Sequence, residues 1–246
     1  DDPMNADPRF HSVRLRKLRP ALARAGLTAA ALAGTAERLA EEADAIDAAV
    51  DRLLAEAVTV DAFAVAALSR AALEEAPGDV RFRLAVRLLQ AVGGDDYPPR
   101  SARVAALLAA IGGASGERTV RRTLAGAVVE VRRDVVRLWR ESGRRGLPVV
   151  ALHPGFRGIW DHRFAVNAPP GLPGGLVLAA LGTSRAEGLA RPAGLPAAAM
   201  AALPAVYAGP ALIALPSLGW GSGPGVAVAE CLSPRLRAPP RFPALA

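Results

Sequence analysis

The chain has 246 residues, of which 52% are hydrophobic but only 4% aromatic, and its formal net charge is +7. This length allows one large domain or two small ones, with a core built from Ala, Leu and Val. The single cysteine, Cys231, excludes a disulfide framework and a multi-cysteine zinc site. No apolar run approaches the roughly twenty residues of a membrane span, so we expect a cytoplasmic protein with no membrane partner.

The charges are distributed unevenly along the chain. Residues 37–79 carry three arginines and eleven acidic residues, a net charge of −8, whereas residues 117–246 carry sixteen arginines and seven acidic residues, a net charge of +9. Such a distribution attracts a polyanion at some surfaces and repels it at another. It predicts a protein that binds nucleic acid across separated surfaces.

The first twenty residues combine a polar turn with a basic helix start. Asn5 and Asp7 can bond to nearby backbone amides, and two prolines hold their neighbours extended, so an ordered turn is predicted. Arg14 and Arg16 follow, and guanidiniums on one side of a helix suit phosphate oxygens. On composition alone, a capped helix with solvated arginines is the favoured alternative.

Residues 21–115 are predicted to form an α-helical bundle. A long helix over residues 28–57 is indicated by apolar residues that recur every seven positions: Leu32, Leu39, Ile46 and Leu53. This apolar stripe needs packing partners. Further helices are predicted over residues 63–73, 80–92 and 101–111.

Beyond residue 116 the pattern changes to short strands with many prolines and glycines. Residues 119–132 and 135–141 predict a hairpin around Arg133 and Asp134. Further strands are predicted over residues 149–152, 159–166, 176–181 and 212–215. The frequent turns favour a small mixed β domain over a parallel sheet with crossover helices. The predicted fold class is therefore α+β, a helical bundle followed by a small mixed β-rich domain.

Few residues are candidates for catalysis. His162 follows Asp161 directly, so the two side chains are expected to leave opposite faces of a strand, which argues against a triad. The sequence predicts neither a catalytic residue nor a metal site. The three tryptophans could stack on an unpaired base, although a core or turn-anchoring role is the favoured alternative.

Several segments, in chain order, resemble the tRNA(Ile)-lysidine synthetases. Residues 2–16 follow the pattern Asp-Pro-Ser-Asn-x-Asp-x-x-Phe-x-x-x-Arg-x-Arg, with Met4 in the serine position. Residues 194–204 match the spacing of a Lys-x-Pro-x-x-x-Arg-x-x-x-Pro motif, but Gly194 and Met200 occupy its basic positions. Other similar segments lie at residues 97–100, 122–126, 160–164 and 212–219.

The resemblance implies the C-terminal portion of an ATP-dependent ligase that attaches lysine to the wobble cytidine of tRNA(Ile). Residues 1–20 would close the catalytic domain, residues 21–115 would form a tRNA-contacting helical domain, and residues 116–246 would form a basic α+β C-terminal domain. The complete enzyme would use ATP, Mg²⁺ and free lysine. The family's Ser-Gly-Gly-x-Asp-Ser ATP-binding loop does not occur in this sequence. We therefore expect this chain alone to bind no cofactor and to be inactive.

Two sets of residues are predicted to lie near the tRNA. The resemblance places Asn5, Asp7, Arg14 and Arg16 at the edge of the active site. The basic residues expected to contact tRNA are Arg118, Arg121, Arg122 and Arg163. Two other functions stay open, a free-standing RNA-binding or assembly module without catalytic activity and an unrelated helical enzyme. Whether the parent enzyme forms a homodimer is also left open by the sequence.

Overall fold

A computed structural model of the chain describes residues 11–114, 119–143, 146–221, 225–232 and 236. Its helices are α1 (His11–Arg24), α2 (Ala29–Ala57), α3 (Arg70–Glu75), α4 (Gly78–Gly93), α5 (Ser101–Gly112), α6 (Thr183–Glu187) and α7 (Ala197–Ala201). Its strands are β1 (Val58–Val60), β2 (Ala66–Ser69), β3 (Val120–Leu124), β4 (Ala127–Arg132), β5 (Val135–Arg140), β6 (Val150–Leu152), β7 (Arg157–Trp160), β8 (Phe164–Asn167), β9 (Leu176–Ala180), β10 (Pro204–Ala208), β11 (Ala211–Ala214) and β12 (Ala227–Glu230). A mainly helical region precedes a β-rich one, which confirms the predicted α+β class. None of the helices in these described parts has both the length and the apolar character needed to cross a lipid bilayer.

Helices α1 and α2 are separated by a short capped connection. The chain leaves α1 through Gly26, whose φ of 85° is in the left-handed region that favours glycine. The amide of Leu27 bonds back to the carbonyl of Leu22 at 2.9 Å, which satisfies one of the last helical carbonyls. Thr28 then caps α2, because its hydroxyl accepts a hydrogen bond from the amide of Ala31 at 3.1 Å. The predicted start of the long helix is thus correct to within one residue.

The chain divides into two compact units, residues 1–48 and residues 49–246, with the boundary inside α2. In the second unit Val50 of α2, which lies four residues after Ile46 on the same stripe, is fully buried, whereas Leu32 and Leu39 in the first unit are 52% and 59% exposed. The burial that the apolar stripe predicts is therefore found at its C-terminal end and not at Leu32 and Leu39.

The first sheet places its described strands in the order β1-β2-β5-β4-β3. Strands β1 and β2 come from the region that was predicted to be helical. The predicted helix over residues 63–73 is wrong at its start, because residues 66–69 pair with β5. Asp61 reverses the chain between β1 and β2, since its carboxylate accepts hydrogen bonds from the amides of Phe63 and Val65. A short apolar run suits a helix or a strand equally well, and here the neighbouring strand decides.

Helix α4 is the central helix of the second unit, with eleven of its 16 residues buried. Leu88 and Leu89 of α4 and Ile111 of α5 line one small cavity of about 20 Å³ together with Val136 and Leu138 of β5. These apolar contacts hold α4 and α5 against one face of the first sheet. Burial of this kind stabilises the unit by about 1.5–3 kcal/mol for each large apolar side chain.

The remaining strands form two further sheets, β11-β10-β9-β6 and β12-β8-β7. Every strand pairing in the described residues is antiparallel. This agrees with the prediction of a β domain with many turns in place of a parallel sheet with crossover helices. The predicted turn around Arg133 and Asp134 is confirmed in the β4–β5 hairpin, but the predicted first arm, residues 119–132, is itself the hairpin β3–β4, which turns at Ala125 and Gly126. The predicted strand over residues 159–166 is instead the hairpin β7–β8. Its tight turn contains Asp161 and His162, whose φ angles are 47° and 57°, so these side chains do not lie on opposite faces of a strand.

Candidate nucleic-acid interface

Two of the arginines predicted to contact tRNA lie on β3, an edge strand of the first sheet. Within the described residues β3 pairs with β4 alone. Arg121 and Arg122 are both exposed. Because successive side chains of a strand point to opposite faces, this edge presents one guanidinium to each face of the sheet.

The guanidinium of Arg121 is oriented by two neighbours. The strand register places Arg121 opposite Glu130, and the two side chains form a salt bridge. The guanidinium carbon of Arg121 also lies 5.5 Å from the centre of the Trp139 ring, within the range of a cation–π contact. The Arg121 side chain nevertheless remains 60% exposed, whereas that of Glu130 is 10% exposed. Glu130 and Trp139 therefore hold Arg121 in place without covering it.

Arg122 and Arg132 add two exposed guanidiniums near this sheet edge, with Arg122 on the face opposite that of Arg121. Arg122 donates from Nη1 to the carbonyl oxygen of Arg121 at 2.9 Å. Arg132 is exposed at the end of β4, where Val131 pairs with Val120 at the start of β3. We call Arg121, Arg122 and Arg132 the β3 edge patch. Arg132 was missed in the sequence because it marks only the approach to a hairpin turn, and its proximity to β3 depends on strand pairing.

The other predicted contact residues are described only in part. Arg14 lies in α1 and is exposed. The backbone of Arg16 lies in the same helix, but its side chain is outside the described part of the chain, as are Asn5, Asp7 and Arg118. The proposed roles of these residues at an active-site edge or on tRNA therefore stay predictions.

Arg163 has a different environment from the one predicted for a tRNA contact. Its side chain is 2% exposed, and its Nε donates to Oδ2 of Asp161 at 2.7 Å. Its Nη2 donates to the carbonyl oxygen of Ala202 at 2.8 Å. Burial lowers the pKa of Arg163 to about 10, although the Asp161 carboxylate opposes that shift. The guanidinium is still charged at neutral pH but is enclosed, so a direct phosphate contact is not available to it and we revise its predicted role.

Arg140, Asp161 and Arg163 form a buried cluster that joins separate sheets. Arg140, the last residue of β5, donates from Nε to Oδ2 of Asp161 at 3.2 Å and from Nη1 to the carbonyl oxygen of Gly126 at 3.0 Å. Gly126 lies in the β3–β4 turn, and Asp161 lies in the β7–β8 turn. A buried charge without a partner is strongly destabilising, so this cluster favours one relative placement of the two turns. It thereby supports the end of β3, next to the β3 edge patch.

Residues 194–204 contain the motif whose basic positions are replaced in this chain. Met200 lies in α7 and is fully buried. The carbonyl oxygen of Gly194 accepts a hydrogen bond from Nη2 of Arg137 at 2.8 Å, which ties this segment to β5. Position 200 therefore faces the core, where a basic side chain could not reach a phosphate in this conformation. The described part of the chain holds no group of three or more His, Cys, Asp or Glu side chains placed to bind a metal ion.

The described residues form an α+β fold with exposed arginines on an edge strand of the first sheet. No protein-family model matches the sequence. The chain is 40% identical over 154 residues to a tRNA(Ile)-lysidine synthase from Methylobacterium nodulans, an alignment that covers 58% of the chain and 44% of that relative. It is 28% identical over 229 residues to a tRNA(Ile)-lysidine synthase from Ruegeria pomeroyi, with 91% of the chain and 51% of the relative covered. A tRNA(Ile)-lysidine synthase from Rhizobium meliloti is 32% identical over 169 residues, with 68% and 34% covered.

The chain is therefore homologous to tRNA(Ile)-lysidine synthases, and the predicted resemblance is confirmed. It spans about half the length of the curated relatives that it matches.

Proposed function

We propose that this chain binds and positions tRNA(Ile) as the C-terminal portion of a tRNA(Ile)-lysidine synthase. The homology supports a tRNA-modifying family. The net charge of +9 over residues 117–246 supports a polyanionic partner. The observation that carries the proposal is the β3 edge patch, in which exposed guanidiniums lie on an edge strand.

The arginines of the β3 edge patch are suited to phosphate oxygens for different reasons. Arg121 is held by Glu130, which partly neutralises it but fixes its direction. Arg122 and Arg132 form no salt bridge with any carboxylate in the described residues, so their charges are available to a ligand. A guanidinium binds phosphate through parallel N–H donors, and each such contact releases counterions from the nucleic acid.

The proposed organisation of the complete enzyme follows the family resemblance. Residues 1–20 would close the catalytic domain and place Asn5, Asp7, Arg14 and Arg16 at the active-site edge. Residues 21–115 would contact tRNA, and residues 116–246 would supply the basic surface. ATP, Mg²⁺ and lysine would be bound by the ATP-binding portion of the enzyme. This chain alone would form no lysidine.

The tRNA contact is tested by measuring tRNA affinity over a series of salt concentrations. We expect the triple variant Arg121→Ala, Arg122→Ala and Arg132→Ala to bind more weakly, because each lost phosphate contact lowers the slope of log affinity against log salt by about 0.9. The control is Arg38→Ala with Arg52→Ala, which removes two exposed arginines from α2, where the surrounding acidic residues disfavour a phosphate contact even within the proposed tRNA-contacting region. Equal losses from both variants, at unchanged thermal midpoints, would contradict a specific role for the β3 edge patch.

The link to catalysis is tested by combining the chain with an ATP-binding portion and the substrates. The chain is mixed with tRNA(Ile), ATP, Mg²⁺ and lysine, with and without the ATP-binding portion of a relative. We expect lysidine only in the mixture that contains both proteins. If the chain binds tRNA but does not change the activity of the ATP-binding portion, the alternative of a free-standing RNA-binding module is favoured.

A further inference from the structure

The second unit contains a half-open cleft of about 450 Å³. The residues that line it, between positions 188 and 220, follow the β3 edge patch in the sequence by more than fifty positions. Its lining includes Leu189, Pro192, Leu218 and Trp220, and its one charged residue in the described lining is Arg191. We propose that this Trp220 cleft binds an unpaired nucleobase of single-stranded RNA. The proposal rests on the proposed function for the source of the RNA, an unpaired segment of tRNA, and adds a second contact site to it.

The exposure of Trp220 distinguishes it from the other two tryptophans. Trp139 and Trp160 are each 1% exposed, whereas Trp220 is 41% exposed. A large aromatic side chain with this exposure at the wall of a cleft is available for stacking on a flat ligand. The sequence could not distinguish the three residues, because their difference depends on tertiary packing.

The backbone holds Trp220 in place on both sides. The amide of Leu215 donates to the carbonyl oxygen of Trp220 at 2.9 Å, and the amide of Trp220 donates back to the carbonyl oxygen of Leu215 at 3.3 Å. At Gly221, a Cβ would lie 2.3 Å from the carbonyl oxygen of Ile213, so the chain passes directly against β11 there. The backbone position that carries the indole is thus set before a ligand arrives, which lowers the entropy cost of binding.

Arg191 gives the cleft a cationic group with unused donors. Its Nη1 donates to the carbonyl oxygen of Leu195, which anchors one end of the guanidinium. Its Nε and Nη2 make no hydrogen bond to any described residue. An aromatic face, aliphatic walls and a guanidinium together match a nucleobase followed by its phosphate. A base inside a duplex is already stacked on both sides, so the cleft favours single strands.

The guanidinium of Arg191 favours RNA over an apolar peptide as the occupant. The cleft lies within residues 117–246, which carry a net charge of +9. An apolar peptide would use the same aliphatic walls but would leave the remaining donors of Arg191 without a partner. A nucleotide satisfies both parts of the site.

Intrinsic fluorescence gives a direct test with the whole chain. Trp139 and Trp160 are buried, but Trp139 contacts Arg121 of the β3 edge patch, so quenching is assigned to Trp220 only where it disappears in Trp220→Phe. We expect saturable quenching by a short single-stranded oligoadenylate and little quenching by a blunt RNA duplex. Equal quenching by both RNAs, or quenching by a leucine-rich peptide and not by oligoadenylate, would overturn the proposal.

Variants extend the test to affinity, measured by anisotropy of a labelled oligoadenylate. Trp220→Ala should weaken binding by about fivefold to a hundredfold, the range of one aromatic–base stack, while Trp220→Phe should retain most of the affinity. The control is Tyr97→Ala, which removes an aromatic side chain that is 68% exposed and lies outside the cleft. Unchanged oligoadenylate affinity in Trp220→Ala, or an equal loss of affinity in Tyr97→Ala, would refute the proposed nucleobase site.

Failure of this proposal can be distinguished from failure of the proposed function. If the chain binds tRNA through the β3 edge patch but Trp220→Ala changes neither tRNA nor oligoadenylate binding, the cleft proposal alone is wrong. If oligoadenylate quenches Trp220 and tRNA does not bind, the cleft is supported as a single-strand site and the tRNA function is wrong.

Discussion

We predict that Asp161→Ala lowers the free energy of unfolding by about 3–5 kcal/mol, the cost of leaving one partner of a buried ion pair uncompensated. The side chains of Asp161 and Arg163 are each 2% exposed, so water cannot replace the lost carboxylate around the guanidinium. Arg140 loses the same acceptor, but its side chain is 18% exposed, so its interaction contributes less to the free energy of unfolding. For a chain of this size the change corresponds to a decrease of about 6–20 °C in the thermal midpoint.

The assay is urea unfolding of the wild type and of a set of matched variants. Asp161→Asn keeps an oxygen acceptor and tolerates the φ of 47°, so it should lose less stability than Asp161→Ala. Arg163→Met combined with Asp161→Asn removes both charges and should cost less than the sum of the single changes. Arg157→Ala, at an exposed position of β7, is the surface control. A cost below about 1 kcal/mol for Asp161→Ala, or strict additivity in the double variant, would show that the buried cluster does not act as we argue.

Three further outcomes are expected from single substitutions. Gly93→Ala should lower the free energy of unfolding by about 1–3 kcal/mol or more, because the added Cβ would lie 1.8 Å from the carbonyl oxygen of Ala125. The control Gly112→Ala places its Cβ within 4 Å of nothing, so it should leave stability unchanged or raise it. Urea midpoints of both variants check this. Met200→Arg should lower the thermal midpoint without increasing tRNA affinity, since position 200 is fully buried, and a tighter complex at unchanged stability would contradict this. In the enzyme reconstituted with its ATP-binding portion, Arg14→Ala should reduce lysidine formation by about tenfold to a thousandfold at an unchanged thermal midpoint, and a loss of activity only in step with stability would reduce Arg14 to a structural role.

Local patterns predicted the elements whose signals are complete within a short stretch of chain. Helix α2 begins within one residue of its predicted start, because Thr28 caps it and its apolar repeat is long. The hairpin around Arg133 and Asp134 is confirmed, since two β-branched runs flank a polar turn. Residues 66–69 could not be assigned in this way, because their pairing partner lies about seventy residues further along the chain.

The candidate contact residues show the same difference between what a local pattern predicts and what distant contacts decide. Charge placement along the sequence led to Arg121 and Arg122, and the structure places both on an exposed strand edge. The same argument led to Arg163, which is buried against Asp161 instead. Charge alone does not tell whether a guanidinium faces solvent or an internal carboxylate, since both environments satisfy it.

The sequence by itself determined the α+β class, the uneven distribution of charge and the relationship to tRNA(Ile)-lysidine synthases, because composition, periodicity and residue order are properties of the chain alone. Only the tertiary structure decided which arginines lie at the surface and which tryptophan is exposed. Exposure depends on neighbours brought together by folding: Arg163 is enclosed by Asp161 and the carbonyl of Ala202, whereas Trp220 lies at the wall of a cleft that residues 188–192 also line. Those neighbours are set by packing and strand pairing, which no local pattern encodes.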